Sequence, residues 1–182
     1  MTSKYSVICL VGPSGAGKTL IAEKLSEKIK TTKIRTATTR TRRPGEAEDA
    51  YFFLTKEEFA SNVESGSFLE TSCYAKEMYG TPKHSVDTVI SSAGVAVVPI
   101  DINGAMAYKE FYGDEVAVIF IQRSKKKVIE GVIERDIPIT EKSARIVQLD
   151  GEYTNIDKCD FCVINNGDIE KSVDDVVNII RK

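Results

Sequence analysis

The chain has 182 residues, which suits one domain, or one core with insertions, and is long enough to bury a substantial core. Its composition, 42% hydrophobic and 29% charged, is that of an ordinary globular protein. A formal net charge of −2 argues against a general nucleic-acid binder, which needs a basic field. No apolar run approaches the ~20 residues of a membrane span. We therefore expect neither nucleic acid nor a membrane as a partner.

The chain begins with a strand, a glycine-rich turn and a helix. Residues 5–11 form a short apolar run typical of a buried parallel strand, and they leave no room for a signal peptide before them. Residues 12–19 (GPSGAGKT) fit G-x-x-x-x-G-K-[ST], the pattern of the phosphate-binding P-loop. Ile21, Leu25 and Ile29 then recur every fourth residue, as on one face of a helix. This order predicts a nucleoside-triphosphate site.

The chemistry of the loop follows from its residue types. Glycines permit positive φ and let backbone N–H groups approach a phosphate at the positive end of a helix dipole. Lys18 is expected to reach the terminal phosphates, and the Thr19 hydroxyl to bind Mg²⁺. The residues expected to hold the triphosphate are Gly12, Pro13, Ser14, Gly15, Ala16, Gly17, Lys18 and Thr19.

Strands and helices alternate along the rest of the chain. The expected strands are residues 33–38, 51–54, 68–71, 95–100, 116–121 and 161–164. The expected helices start at a capping box (residues 55–58), at Thr81-Pro82 as N-cap and first helical residue, near residue 105, after Ser124, at about Glu141 and before residue 173.

The alternation predicts an α/β fold: a three-layer α/β/α P-loop NTPase core with a parallel sheet. We expect residues 1–35, 82–134 and 151–182 to form this core. Residues 36–81 interrupt the alternation and predict an inserted subdomain. Residues 135–150 are polar and carry arginines, which suits a lid.

The chain has four cysteines, which raise the questions of a metal site, a redox function and the cellular compartment. Cys159 and Cys162 form a C-x-x-C pair, which occurs in redox and zinc sites. Residues three apart in a strand face opposite sides, however, and no second Cys or His pair completes a zinc site. We expect reduced, structural thiols and a cytoplasmic location.

A polar loop offers a second anion site. Arg40, Arg42 and Arg43 lie within four residues, and guanidinium groups bind phosphate oxygens bidentately. Tyr51 and Tyr79 could add hydroxyl groups to the same phosphate. A solvated basic loop and a nucleic-acid patch are the alternatives on composition alone.

Several short motifs together resemble guanylate kinase, a nucleoside monophosphate kinase of the P-loop class. They are residues 12–19 (GPSGAGKT), 38–43 (TTRTRR), Gly45-Glu46 with Tyr51, 68–70 (FLE), 79–81 (YGT), and Asp101 with Gly104. The resemblance runs from residue 7 to the closing helix. It implies in-line phosphoryl transfer from ATP to GMP, and to dGMP, with Mg²⁺, by a monomer or homodimer.

The resemblance also implies individual roles. The GMP site would comprise Thr36, Arg40, Arg43, Glu46, Tyr51, Glu70, Tyr79, Thr81 and Asp101. Lys18, Arg40, Arg43, Arg135 and Arg145 would offset the repulsion between the phosphates. Asn165 would lie near the ATP base, with a turn asparagine as the alternative.

The chemistry of guanine suits two of these residues. Guanine presents N1–H and an exocyclic amine, both donors, and the carboxylates of Glu70 and Asp101 accept only. Adenine lacks the N1–H and would leave the carboxylates unpaired, a mismatch that can discriminate by ~10⁴.

Two positions depart from the pattern of that family. Pro99 stands where an Asp-x-Asp pair commonly begins, and Gly131 stands where a lid arginine is usual. These departures leave open a kinase of another phosphorylated acceptor. A phosphopeptide- or nucleotide-binding module is a further alternative, because some domains that resemble this family are scaffold modules. The intact P-loop favours catalysis.

Overall fold

The computed structural model describes residues 3–42, 45–74, 76–92, 94–134, 136 and 138–181. Among these residues, four parallel strands form a central sheet in the order β6-β1-β7-β8. The bounds are β1 Val7–Val11, β6 Ala96–Pro99, β7 Val116–Gln122 and β8 Phe161–Ile164. Every residue of β1 is buried, as its apolar run predicted for a strand with neighbours on both sides.

Helices cover both faces of this sheet. Their bounds are α1 Lys18–Ile29, α2 Lys56–Glu64, α3 Lys83–Ser91, α4 Ile102–Tyr112, α5 Lys125–Ile133, α6 Ile139–Tyr153 and α7 Ile169–Ile180. Alternate residues of β1 enter different clusters, because successive side chains of a strand point to opposite faces. Ile8 packs in the cluster with α1 and α7, whereas Cys9 packs in the cluster with α3 and α4. The three-layer α/β/α prediction is confirmed.

A second, mixed sheet has the order β3-β2-β5-β4. Its strands are β2 Ala37–Thr38, β3 Phe52–Phe53, β4 Phe68–Tyr74 and β5 Glu77–Pro82. Helix α2 covers it by stacking Phe59 on Phe68, with ring centroids 4.6 Å apart. The capping box is present at the start of α2, where Thr55 and Glu58 each bond to the backbone of the other.

Several predicted bounds were wrong. The strand expected at residues 33–38 is only Ala37–Thr38, and it pairs in the second sheet. Helix α3 starts at Lys83 with Pro82 as its N-cap, since Thr81 stays in the β5 ladder opposite Glu70 and cannot cap. Helices α4 and α6 start earlier than expected, at Ile102 and Ile139.

All four thiols are free. Cys159 Sγ donates to the carbonyl of Asn155 at 3.3 Å, while Cys162 Sγ donates to Gln122 Oε1 at 3.4 Å, so the two sulfurs have different partners. Within the described ranges, no group of three or more His, Cys, Asp or Glu residues is arranged to hold a metal ion. None of the described helices has the length and apolar character that crossing a bilayer requires.

Candidate active site

The P-loop joins β1 to α1 in a conformation that requires glycine. Gly12, Gly15 and Gly17 have φ of +138°, +95° and +94°. A Cβ on Gly12 would lie 2.5 Å from the carbonyl oxygen of Ile121 in the neighbouring strand β7. The first glycine therefore permits both the turn and the close approach of two strands.

Lys18 folds back over the loop. Its Nζ donates to the carbonyl of Gly12 at 2.5 Å and to that of Pro13 at 3.0 Å. The next residue, Thr19, is exposed at the start of α1, where the helix dipole favours anions.

Asn165 supports the loop from behind. Its Nδ2 donates to the carbonyl of Ala16 at 2.8 Å, and its Oδ1 accepts from the N–H of Gly167 at 3.0 Å. With 1% of its surface exposed, Asn165 is buried beneath the loop. Its amide is bonded to protein on both sides, as expected of a turn asparagine.

A cavity of ≈ 690 Å³ opens where β1 and β6 end, which is where parallel sheets bind ligands. The P-loop contributes Gly12, Ser14, Lys18 and Thr19 to its wall, and the other polar lining residues are Asp101, Arg145, Glu152 and Asn155. Asp101 is fixed there because its Oδ1 accepts from the N–H of Gly104 at 2.9 Å, which caps α4.

Helix α6 contacts the P-loop through two charged residues. Arg145 Nη1 donates to Ser14 Oγ at 2.5 Å, while its Nη2 pairs with Glu141 Oε1 at 2.7 Å. The N–H of Ser14 donates to Glu152 Oε2 at 3.3 Å. Arg145 thus lies at the loop; Arg135 lies outside the described residues.

Glu70 lies on β4 of the second sheet, and β4 packs against α4, the helix that Asp101 caps. The Thr81 hydroxyl donates to Glu70 Oε1 at 2.6 Å. Burial raises the pKa of Glu70 above its ordinary value; the Thr81 hydrogen bond opposes that shift, and the charge of Asp101 adds to it. Two carboxylates, one on β4 and one at the start of α4, therefore lie close enough for the charge of one to affect the other.

The arginine loop lies on the same sheet. Arg40 Nη1 and Nη2 donate to Glu46 Oε2 and Oε1 at 3.0 and 2.7 Å, and this bonding raises the pKa of Arg40. The Arg40 guanidinium lies 5.6 Å from the Tyr51 ring centroid, and Tyr51 contacts Tyr79 edge to face at 6.3 Å. Arg43 is outside the part of the chain that the structure describes, and Thr36 precedes β2, where its carbonyl accepts from the N–H of Phe52 at 2.8 Å.

These contacts form one continuous surface. Tyr79 and Thr81 are two apart on β5 and so share a face of the second sheet, and Glu70 pairs with Thr81 across the ladder. The surface carries a guanidinium at the Arg40 end and carboxylates at the Glu70 end. It suits a ligand with an anion at one end and hydrogen-bond donors at the other.

Sequence reasoning missed three residues around the loop: Arg123, Glu152 and Asn155. Arg123 follows the end of β7, beside the strand that enters the P-loop, and Nη1 donates to the carbonyl of Gly15 at 3.0 Å. Its place after a parallel strand next to β1 was a signal that could have found it. Glu152 and Asn155 reach the cavity because of the direction that α6 and the turn after it take across the fold. The local sequence does not indicate that direction.

Comparison with known proteins agrees with this geometry. A sequence model of guanylate kinase matches residues 4–182. The chain is 35% identical to guanylate kinase of Thermotoga maritima over 187 residues, covering 100% of this chain and 87% of that protein. It is 34% identical to guanylate kinase of a Wolbachia species, covering 97% and 92%. The crystal structure of guanylate kinase from Anaplasma phagocytophilum superposes with a TM-score of 0.73 at 26% identity, covering 99% of this chain and 86% of that one. The chain belongs to the guanylate kinase family.

Proposed function

We propose that the chain transfers the terminal phosphoryl group of ATP to GMP, and to dGMP, giving ADP and the nucleoside diphosphate. The observation that carries this proposal is a single cavity lined both by the phosphate-binding loop and by a carboxylate of the proposed guanine site. Lys18 of the P-loop and Asp101 line it together, and Asp101 is an electrostatic neighbour of Glu70. A phosphate-binding lysine thus lies close to a pair of carboxylates suited to guanine.

The base of GMP binds at the carboxylate end of the second sheet. Glu70 and Asp101 accept from the N1–H and the exocyclic amine. Thr81 has a single O–H to donate and gives it to Glu70. We therefore propose that Thr81 orients the Glu70 carboxylate and does not bond to the base itself. Thr36 remains as the hydroxyl donor for O6.

The phosphate of GMP binds at the arginine end. Arg40, Tyr51 and Tyr79 lie in contact there, and Arg43 would join them. Glu46 holds both terminal nitrogens of Arg40 and so fixes the plane of the guanidinium before a ligand arrives. We place this GMP-binding insertion at residues 36–81.

The donor phosphates bind at the P-loop. Their oxygens replace the carbonyls of Gly12 and Pro13 as partners of Lys18 Nζ. Arg145, on the lid at residues 135–150, lies at Ser14 and approaches the transferred group with Arg135. These cations offset the repulsion between two anionic phosphates during in-line transfer.

The donor set at the start of α1 fits Mg²⁺. This ion takes few protein ligands and completes its shell with water and substrate phosphates. The Thr19 hydroxyl is exposed beside Lys18 in the cavity and would hold the ion. Bound Mg²⁺ supplies charge neutralisation at the phosphates.

An acceptor panel tests the proposal. ADP release from ATP is measured with GMP, dGMP, AMP, CMP and UMP, and we expect GMP to be the best acceptor, with dGMP next. Turnover that is fastest with a non-guanine acceptor would assign the chain to another phosphorylated substrate. Binding of GMP or a phosphopeptide without ADP release from any acceptor would make it a binding module.

A further inference from the structure

In the described part of the chain, two cavities share the phosphate-binding residues Ser14, Lys18 and Thr19. The first contains Asp101 and Arg145. The second, of ≈ 440 Å³, is completed by Gly15, Gly17, Leu20, Arg123 and Gly131. A nucleotide whose phosphates lay across the shared residues would have its nucleoside in one of the two cavities.

Arg123 is incompletely bonded in the second cavity. A guanidinium has five N–H donors. Nη1 of Arg123 bonds to the carbonyl of Gly15 at 3.0 Å, whereas its Nε is buried with no hydrogen-bond partner in the described structure. No carboxylate of the described residues lies within ion-pair distance of this guanidinium. No acidic side chain of the described residues therefore neutralises its charge, and a buried donor left unpaired is costly.

The backbone of Arg123 is nevertheless held in place. Its carbonyl accepts from the hydroxyl of Tyr153, and it follows directly after β7. The backbone that carries the guanidinium is thus fixed beside the loop, while the guanidinium itself still has hydrogen-bond donors without a described partner. A residue that only braced the P-loop would need no charge, because an amide donor suffices to bond a carbonyl.

The walls around Arg123 leave room for a nucleoside. A Cβ built on Gly131 meets nothing within 4 Å, so the space in front of this position is open. Leu20, 44% exposed, contributes an apolar side chain to the lining of the same cavity. Among the described lining residues, Lys18 and Arg123 are the cations.

We propose that Arg123 binds the donor nucleotide on the side of the phosphates that are not transferred, with its guanidinium at the α-phosphate and ribose. This inference rests on the proposed function, because the acceptor base occupies the cavity of Asp101 and leaves the second cavity to the donor. Arg123 is then a determinant of ATP affinity, separate from the acceptor site.

The test compares Arg123→Met and Arg123→Lys with the matched control Lys126→Met, which removes one positive charge from an exposed position of α5. KM for ATP and for GMP and Kd for ADP are measured, with thermal melting as a check on folding. We expect Arg123→Met to raise KM for ATP and Kd for ADP about tenfold to a hundredfold, as loss of a hydrogen bond to a charged group does. KM for GMP stays at the wild-type value, Arg123→Lys has a smaller effect, and Lys126→Met has none.

The dependence of ADP affinity on salt distinguishes a charge that binds the nucleotide from a side chain that only supports the P-loop. Between about 0.1 M and about 1 M salt the Debye length falls from about 10 Å to about 3 Å, so the ratio of variant to wild-type Kd for ADP should shrink. Wild-type affinity in Arg123→Met, a ratio that salt leaves unchanged, or an equal rise in KM for GMP would overturn the proposal. Should Arg123→Met not fold, Arg123→Gln, which also removes the charge but keeps a hydrogen-bond donor, decides by the same three criteria. A wild-type chain without ATP:GMP turnover would instead refute the proposed function, while ADP binding would still test Arg123.

Discussion

Replacing Glu70 with glutamine removes a negative charge from the proposed guanine site and preserves the size of the side chain. The amide oxygen of the glutamine still accepts from the Thr81 hydroxyl, which donates to Glu70 at 2.6 Å. The substitution therefore leaves the ladder of the second sheet intact. What it removes is the acceptor for a donor on guanine.

The size of the effect follows from that loss. A hydrogen bond to a charged group contributes about 1.5–3 kcal/mol, which corresponds to about tenfold to 150-fold in affinity. The base is remote from the reacting phosphates, so KM for GMP should rise by this factor while kcat changes little. The free energy of unfolding, in contrast, should not fall and should even rise. Burial raises the pKa of Glu70, which means that folding disfavours its ionised form at neutral pH, and the neutral glutamine avoids that cost.

The assay is steady-state ADP release with GMP varied at saturating ATP, together with thermal melting. Glu77→Gln is the matched control, because Glu77 accepts from the Thr39 hydroxyl at the same 2.6 Å on the same sheet. We expect KM for GMP of the control to stay within about twofold of wild type, as for substitutions away from a site. Glu70→Gln should melt at or above the wild-type temperature.

A structural role for Glu70 predicts the opposite pair of results. Wild-type KM for GMP combined with a melting temperature lowered by more than about 4 °C, roughly 1–2 kcal/mol for a domain of this size, would refute the assignment.

Four further predictions concern the P-loop and pH. Lys18→Ala should abolish turnover without lowering the melting temperature, and retained activity would contradict the role of Lys18. Gly12→Ala should lower the melting temperature by at least about 4 °C, because φ is +138° and the new Cβ would meet the carbonyl oxygen of Ile121 at 2.5 Å. Asn165→Ala leaves the buried carbonyl of Ala16 unpaired, at a cost of about 1–3 kcal/mol, and should raise KM for ATP but not for GMP; equal rises would show that it supports the whole site. As pH falls, wild-type KM for GMP should rise at a higher pH than an ordinary glutamate would cause, because the raised pKa protonates Glu70 early. The ratio to Glu70→Gln cancels the titration of GMP itself, and a ratio independent of pH would exclude Glu70 as the titrating group.

The sequence predicted the central fold well because the relevant signals are local. The apolar run of β1, the glycines after it and the stripe of α1 lie within 25 residues and agree with one another. Bounds failed where tertiary pairing decided them: Thr81 has the chemistry of an N-cap, but its ladder partner Glu70 keeps it extended. Arg123 was missed for a similar reason, since its significance depends on the parallel pairing of β7 with β1.

Two residues of helix α6 with opposite charges bond to the same residue of the P-loop. Arg145 and Glu152 are seven residues apart, two helical turns, and both reach Ser14, one at its hydroxyl and the other at its amide. A phosphate oxygen that takes the amide must expel the carboxylate, while its charge draws the guanidinium closer. An arriving nucleotide thus repels the last turn of the helix, which carries Glu152, and attracts its middle, which carries Arg145, so we expect α6 to tilt as the loop fills. A fluorophore at Val147, 81% exposed on this helix, would report that tilt directly.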